Sequence, residues 1–584
     1  MKTFALLYVS VTLIQLSRSD KILVDFIRDY YEASNIHQIV IFACWDYAVE
    51  VSRNIMGLDT VVTYQSTTDD INLTDILRVN YYHLGIVLDF DCPFSERIID
   101  KFSDHLPFNE SYHWLILSNL SPIPKDYLES LALTIASELT SAIRKGNQFQ
   151  LYDIYNPSYR HGGSVNVVDK GQWTPNDGLQ NKLSEYKYIR RADLQQLCLN
   201  FSVVLYYPPL PDLMTYLSTY MHIKMDTMTR AHYPVAMYLQ DMYNFSIKIH
   251  QATTWGYLVN GSFNGLIGDI ISGFIDMSLT PFEFHGIRMD FVEYAVETWY
   301  ADVSFTFLHP KTSALQQHYE ATTQDTEMNV IDTGLTTVAA LSQQGLSESP
   351  MFFSGRITFL SLFFWALLLY QFYSASIVSS LMTAPPRWIK TIKDISDSEL
   401  EVASHFVQYY HNLFKTSTDP DVIELYNRKI KSRPNRFLSV EEGFRKVQGG
   451  GYAYLTETTA TYPLLSSTFS EDQICAVEEI RLRKPRSISL IMPKNSPFKK
   501  IMNYGLRKIV QSGIMHRLQK IWRGARPRCP ENYNDRPTPM GMTEFSPAIF
   551  LLCIGLIIAM AILVMENLYF YFENRHRSLS IDAE

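Results

Sequence analysis

Apolar runs set off by amphipathic stretches punctuate residues 20 to about 190: KILVDFIRDYY, HQIVIFACWD, YYHLGIVLDF and YHWLILSNL. Short runs such as Gln38–Cys44 and Gly85–Phe90 fit buried strands, and the segments between them carry helical periodicity, so the region is expected to form an α/β domain. Residues 158–180 (SYRHGGSVNVVDKGQWTPNDGLQ) are polar and Gly-rich and predict a surface loop. A second α/β pattern begins near residue 195, with the strand LNFSVVLYYP, the helix-like RAHYPVAMYLQDMYN, the strand FSIKIHQA and the stretch FNGLIGDIISGFIDMSLTP. A third runs from 387 to 528, through IKTIKDI, the strand-turn GGGYAYLTETT and a closing helix ending in HRLQKIW.

Two stretches break this soluble pattern. Ile357 to Met382 has 26 residues without a formal charge and Pro547 to Met565 has 19, both near the roughly 20 that a spanning helix needs. Arg575 and Arg577 after the second run suit a cytoplasmic tail over 567–584. At the other end, Lys2, the apolar stretch Phe4 to Leu16, and Ser17 and Ser19 predict a signal peptide over residues 1–19. Six N-x-[ST] sequons, at Asn72, Asn109, Asn119, Asn200, Asn244 and Asn260, agree with an extracellular first half.

Composition narrows the function classes. The 584 residues are 47% hydrophobic, enough for several cores, and the net charge of -9 gives no basic surplus for nucleic acid. The metalloprotease HExxH, the GxSxG elbow, the P-loop and paired CxxC spacings are all missing, so no enzyme and no cofactor or metal are expected. Gly449-Gly450-Gly451 precedes a strand and makes a poor phosphate cradle. In a secreted chain the six cysteines invite pairing. Cys475 and Cys529 bracket a compact segment and are expected to pair, Cys44 and Cys92 could pair, Cys553 lies inside the last membrane run, and Cys198 is left over.

Two α/β half-domains split by a membrane segment resemble the ionotropic glutamate receptors, and more closely the insect chemosensory ionotropic receptors, within them the acid-sensing subclade. Several stretches over residues 195–575 carry the resemblance: Asn264-Gly265-Leu266-Ile267-Gly268-Asp269-Ile270 with Asp276, Arg288-Met289-Asp290-Phe291-Val292-Glu293-Tyr294, Ser342-Gln343-Gln344-Gly345, Tyr373 to Val378, and Gly451-Tyr452-Ala453-Tyr454-Leu455-Thr456-Glu457. Cys475 and Cys529 fall where the family has its disulfide. The resemblance implies α/β ectodomains, with a bilobed, periplasmic-binding-protein-like ligand-binding domain in two segments (195–312 and 387–528), plus an α-helical transmembrane channel. It places the pore loop and pore-lining helix at 328–382 and the last spanning helix at 546–566.

It also implies roles. Arg288 falls on the arginine that holds a ligand carboxylate, a task the guanidinium fork suits; a register anchored on Asp290-Phe291 places His285 there instead. Glu457 falls on the acidic ligand position. Tyr409 and Tyr410 replace a Ser-Thr pair and Glu283 replaces a threonine, so a small carboxylic acid or similar odorant fits better than glutamate. Gln343 and Gln344 put neutral amides at the pore loop of a cation channel, and Pro385-Pro386 links the pore helix to the second half-domain. The implied setting is a multi-pass plasma-membrane subunit in the dendrite or cilium of a sensory neuron, assembled with co-receptor subunits into a hetero-tetramer.

One departure matters. The family's first spanning helix should follow Phe307-Leu308-His309-Pro310, but KTSALQQHYEATTQDTEMNVIDTG is too polar to span. A single crossing at 357–382 would put the second half-domain in the cytoplasm. Either the chain is a form lacking one exon, which leaves a non-conducting binding or regulatory protein as an alternative, or the polar region inserts in an unusual way.

Overall fold

The structure, a computed structural model, describes residues 21–310 and 353–581 apart from 58, 68–71, 80–81, 120–121, 222–224, 383–386, 432, 434 and 531–541, together with Ser342 and Gln344. The expected signal peptide, Gln343 and Pro385-Pro386 lie outside the described residues. The chain divides into two compact units. One takes residues through Val303 with Glu457–Pro463 and Arg483–Ala525; the other takes Ser304–Thr456, Leu464–Leu482 and the chain from Arg526 onward.

The first unit opens with an eight-stranded sheet of β1 (Gln38–Ala43), β2 (Val61–Ser66), β3 (Leu84–Asp89), β4 (Tyr112–Ser118), β5 (Glu138–Lys145), β6 (Gln148–Tyr155), β7 (Asn166–Thr174) and β8 (Gly178–Asn181), in the order β2-β1-β3-β4-β5-β6-β7-β8. The first five are parallel and the last three antiparallel. Ile39 and Ile41 face one layer with Phe26 and Ile27, while Val40 and Phe42 face the other with Ile98 and Phe102. Burial on both faces is why these strands are continuous apolar runs. A disulfide joins Cys44 to Cys92. The expected loop at 158–180 is a correction: β7 and β8 occupy most of it. Gln172 and Asp169 face partly to solvent while Trp173 packs inward, so a half-exposed strand at the sheet end looks polar in sequence.

The first lobe follows in the same unit. It holds β9 (Cys198–Val204), helix α1 (Thr227–Tyr243), β10 (Ser246–Ala252), the hairpin β11 (Leu258–Val259) and β12 (Ser262–Phe263), helix α2 (Gly265–Ile271), β13 (Met277–Ser278), β14 (Phe282–Glu283), helix α3 (Gly286–Met289) and β15 (Val292–Ala301). No flexible spacer separates this lobe from the N-terminal sheet. Ile135 and Tyr188 of the sheet domain share a core with Phe201, Leu239 and Trp299 of the lobe. His161 Nε2 lies 3.1 Å from Asp276 Oδ2, and Glu110 meets both Lys187 (2.8 Å) and Lys500.

The second unit centres on a five-stranded sheet, β18-β17-β19-β16-β20. Its members are β16 (Val303–Leu308), which precedes helix α4 (Phe353–Met382), and then β17 (Glu401–His405), β18 (Phe437–Leu438), β19 (Tyr452–Glu457) and β20 (Val477–Arg481). Helix α5 (Gln408–Lys415) and helix α6 (Val440–Gln448) lie among these strands in sequence. Gly443 of α6 sits against the Tyr454 ring, where a Cβ would come within 2.3 Å. After helix α7 (Thr458–Thr468) and β20, strand β21 (Arg486–Pro493) and helices α8 (Lys499–Gln511) and α9 (Ile514–Arg523) return to the first lobe, β21 pairing antiparallel with β14 and β15. The two chain segments therefore do not map one to one onto the two lobes, since each lends strands to the other's sheet.

A second disulfide joins Cys475 to Cys529, while Cys198 and Cys553 are free and exposed. Helix α10 (Met542–Ile581) runs past the expected limits of the last span. Two described helices are long and apolar enough to cross a membrane, over Arg356–Ser376 and Ile549–Tyr571.

Candidate functional site

Arg288 sits on the single turn α3, which interrupts the chain between β14 and β15. Its guanidinium lies 5.5 Å over the Phe282 ring, and Nη2 donates to the Gly256 carbonyl at 3.3 Å. Gly256 is held at φ +113°, and a Cβ there would meet Ile267 and the Asn264 carbonyl, so the carbonyl can reach the arginine only from glycine. The Tyr294 hydroxyl donates to the Glu283 carbonyl at 3.1 Å. Burial pushes the Tyr257 and Tyr294 hydroxyls upward in pKa and the charge of Arg288 draws both back down. No carboxylate pairs with Arg288 among the described residues. The Arg288 side chain is half-buried and also hydrogen-bonds the Tyr294 hydroxyl.

Glu283, by contrast, is already paired. Arg483 reaches its Oε2 at 2.5 Å and Arg486 its Oε1 at 2.7 Å. Its charge is neutralised by two cations roughly 200 residues away in sequence, so it holds β14 to β21.

Glu457 closes β19 and is 8% exposed. The Thr459 hydroxyl donates to its carboxyl, and Oε1 has no hydrogen-bond partner among the described residues. Burial pushes its pKa up to about 8; Thr459 and Arg523 pull the other way and Asp302 adds to the rise. Asp302 is also buried, with Arg523 at 3.5 Å, and Arg523 Nη2 is 3.4 Å from Thr458 Oγ1. Two buried acids thus share one guanidinium, which favours a neutral Glu457. No hydrogen bond or ion pair joins Arg288 to Glu457 among the described residues.

Tyr409 and Tyr410 belong to the second unit, on α5. Tyr410 is buried and Tyr409 half-buried, with ring centroids 5.2 Å apart. The Tyr410 ring lies 5.6 Å from that of His405, whose pKa burial lowers to about 4, so this edge of α5 presents uncharged rings. His405, Asp302, Arg523, Arg483 and Arg486 escaped the sequence reading. The ion-pair partners of Asp302, Arg523, Arg483 and Arg486 are distant in the chain, whereas His405 packs on its near neighbours Phe406 and Tyr410. Gln344 is exposed. Asn72, Asn119, Asn244 and Asn260 are exposed, whereas Asn109 and Asn200 are half-buried. The Asn200 amide donates to the Phe274 carbonyl at 3.2 Å. No cluster of His, Cys, Asp and Glu fit to hold a metal occurs among the described residues.

Comparison with known proteins bears on this geometry. A family described as "Ionotropic receptor 75a N-terminal" matches residues 21–204, and one described as "Ligand-gated ion channel" matches residues 299–556. Ionotropic receptor 75a of Drosophila melanogaster is 21% identical over 624 positions, covering 95% of this chain and 98% of its own length. The Drosophila sechellia ionotropic receptor 75a is 22% identical over 93% of this chain and 97% of its own. The human kainate 5 ionotropic glutamate receptor is 25% identical over 40% of this chain and 23% of its own length. Since 95% of 584 residues is about 555, about 70 of the 624 aligned positions are filled by the D. melanogaster relative alone.

Proposed function

The chain belongs to the chemosensory ionotropic receptors of insects, a branch of the glutamate-receptor-like ligand-gated channels, and from that premise we propose that it is the ligand-recognition subunit of a cation channel tuned to small carboxylic acids. The observation that carries the ligand class is Arg288, a guanidinium without a carboxylate partner among the described residues, set over the Phe282 ring and close enough to Tyr257 and Tyr294 to lower their pKa. A carboxylate would complete it with two parallel hydrogen bonds. Glu457 supports the same reading. Held near pKa 8, it is protonated at neutral pH and suits a hydrogen bond to a ligand oxygen better than an ion pair with an ammonium group.

In this reading the subunit works in a hetero-tetramer with co-receptor subunits at the plasma membrane of a sensory dendrite or cilium. The test is current evoked by short-chain carboxylic acids in cells co-expressing the chain with a co-receptor. Acid-evoked current is expected from wild type and none from Arg288→Ala at equal surface density. A chain that reaches the surface yet leaves the co-receptor's response to acids unchanged overturns the proposal.

A further inference from the structure

The turn that leads into β9 is tied by backbone hydrogen bonds to the end of α1. Leu194 donates to the Tyr243 carbonyl at 2.9 Å, Gln196 to the Asn244 carbonyl at 2.7 Å, and Ser246, at the start of β10, to the Leu197 carbonyl at 2.8 Å. Gln195, Gln196 and Asn244 sit at φ +55°, +57° and +49°. Asparagine tolerates this left-handed region and ends α1 there. Glutamine does so less readily, and Ser164 helps to hold the turn, its N–H and hydroxyl donating to the Gln195 side chain at 3.0 and 2.9 Å. Beside this junction opens a cavity of about 430 Å³, lined by Gln196, Gln240, Asp241, Asn244, Phe245 and Ser246.

Two amides, a carboxylate and a hydroxyl on this wall match a ligand rich in hydroxyl groups. The volume falls within the roughly 300–1,000 Å³ of small-molecule sites, but those bury most of their ligand against apolar walls. Here Gln196, Asp241, Asn244 and Ser246 are exposed, so water competes for every polar contact. A tethered ligand escapes that weakness, because the tether sets its local concentration. The wall supplies a tether: Asn244-Phe245-Ser246 is an N-glycosylation triplet, and both its ends line the cavity. The same compact unit carries the Cys44–Cys92 disulfide, which belongs to the oxidising side where such glycans are added. Transfer from a lipid-linked diphosphate donor forms the bond from Asn244 Nδ2 to the sugar C1, breaks the C1–oxygen bond to diphosphate, and releases one Nδ2 proton. The N–H that remains serves the hydrogen bond that Nδ2 makes to Asp193 Oδ1 at 2.8 Å. Asn200 is placed differently: half-buried in β9, its Nδ2 donates to the Phe274 carbonyl and its Oδ1 meets His250 Nε2 at 3.3 Å. Across the β9–β10 ladder Ser246 is the register partner of Cys198, whose free thiol is exposed about 4.8 Å away, one strand spacing.

We propose that Asn244 carries an N-linked glycan whose first sugars are held in this cavity, and that the held sugars shield the Cys198 thiol, which would otherwise stand open to pairing in an oxidising compartment. This goes beyond the ligand-recognition reading and does not depend on it. Peptide-N-glycosidase digestion of the full chain in heavy-oxygen water, read by mass spectrometry, reports occupancy and release at Asn244. Occupancy is expected, and Gln240→Ala with Asp241→Ala should speed release from the native chain severalfold by removing two of the groups that hold the sugars. An unmodified Asn244, or equal release rates with and without the two substitutions, overturns the proposal. Shielding is read by maleimide labelling of Cys198 in a Cys553→Ser background, where it is the remaining free thiol. Ser246→Ala removes the triplet but keeps Asn244 at the end of α1, and should speed labelling severalfold; an unchanged rate refutes the shield. Should Ser246→Ala fail to fold, the chain stripped by prolonged glycosidase digestion after folding takes its place, with the same two outcomes. Neither readout uses current or an acid ligand, so failure here and failure of the ligand reading are separable.

Discussion

Replacing Glu457 by glutamine tests the electrostatics of the buried acid pair directly. Glutamine keeps the shape of a protonated carboxyl and removes its titration. In the folded chain the Glu457 carboxyl titrates near 8, against 4.5 for a free glutamate. The folded state therefore binds this proton more tightly than the unfolded chain does. The resulting stabilisation is fully present below pH 4.5 and drains away as pH rises to about 8. At about 1.4 kcal/mol for each unit of displacement, the wild-type chain loses about 5 kcal/mol across that window relative to a form that cannot titrate. Between pH 5 and pH 8.5 the loss is about 4 kcal/mol, and a lobe of 150–250 residues shifts about 2–4 °C per kcal/mol, so the difference in melting midpoint between Glu457→Gln and wild type is expected to grow by about 8–16 °C over that range in favour of the variant. The assay is tryptophan-fluorescence melting of the detergent-solubilised chain at closely spaced pH values. Trp522 is buried beside Arg523, so the lobe has its own reporter. If wild type and variant keep a constant offset from pH 5 to pH 8.5, Glu457 does not hold a displaced proton and its proposed donor role falls with it.

Arg288→Lys should retain charge but lose the fork, so acid responses should weaken severalfold rather than vanish, read as a shifted dose–response curve at equal surface density. Asp153→Asn should destabilise the N-terminal domain by about 3–5 kcal/mol, because it removes the charge that Arg191 meets at 2.9 Å while Arg191 is 1% exposed; hydrogen exchange of β5 and β6 measures it. Cys529→Ser should cost about 2–5 kcal/mol and lower the surface level of the chain, seen by cell-surface biotinylation, and an unchanged level would mark the Cys475–Cys529 bond as dispensable.

The runs that predicted β1 and β3 were legible because both faces of those strands are covered, which leaves little room for polar residues. β7 and β8 were not, since they close the far end of the sheet and face solvent over part of their length. Burial of Glu457 was invisible for a different reason. The acid looks ordinary in the sequence, and its pKa is displaced chiefly by burial at the end of β19, to which the charge of Asp302, 155 residues earlier, adds. The pairing of Glu283 with Arg483 and Arg486 was hidden by the same kind of separation. Motif order located the lobes, but the exchange of β16 and β21 between them is a long-range choice that no local pattern records.

That exchange, with the core shared across Ile135 and Tyr188, dictates how the recognition module can be made as a water-soluble protein. Cutting at the apparent segment limits would strip β16 from one sheet and β21 from the other, and removing the first 190 residues would bare the apolar surface beneath Tyr188. The smallest unit that keeps every sheet whole runs from residue 21 through Cys529, with 311–386 replaced by a short flexible linker joining the end of β16 to the start of the second segment. Such a fusion would leave both membrane helices behind, and would allow acids to be titrated against the isolated lobes by calorimetry without a bilayer or partner subunits.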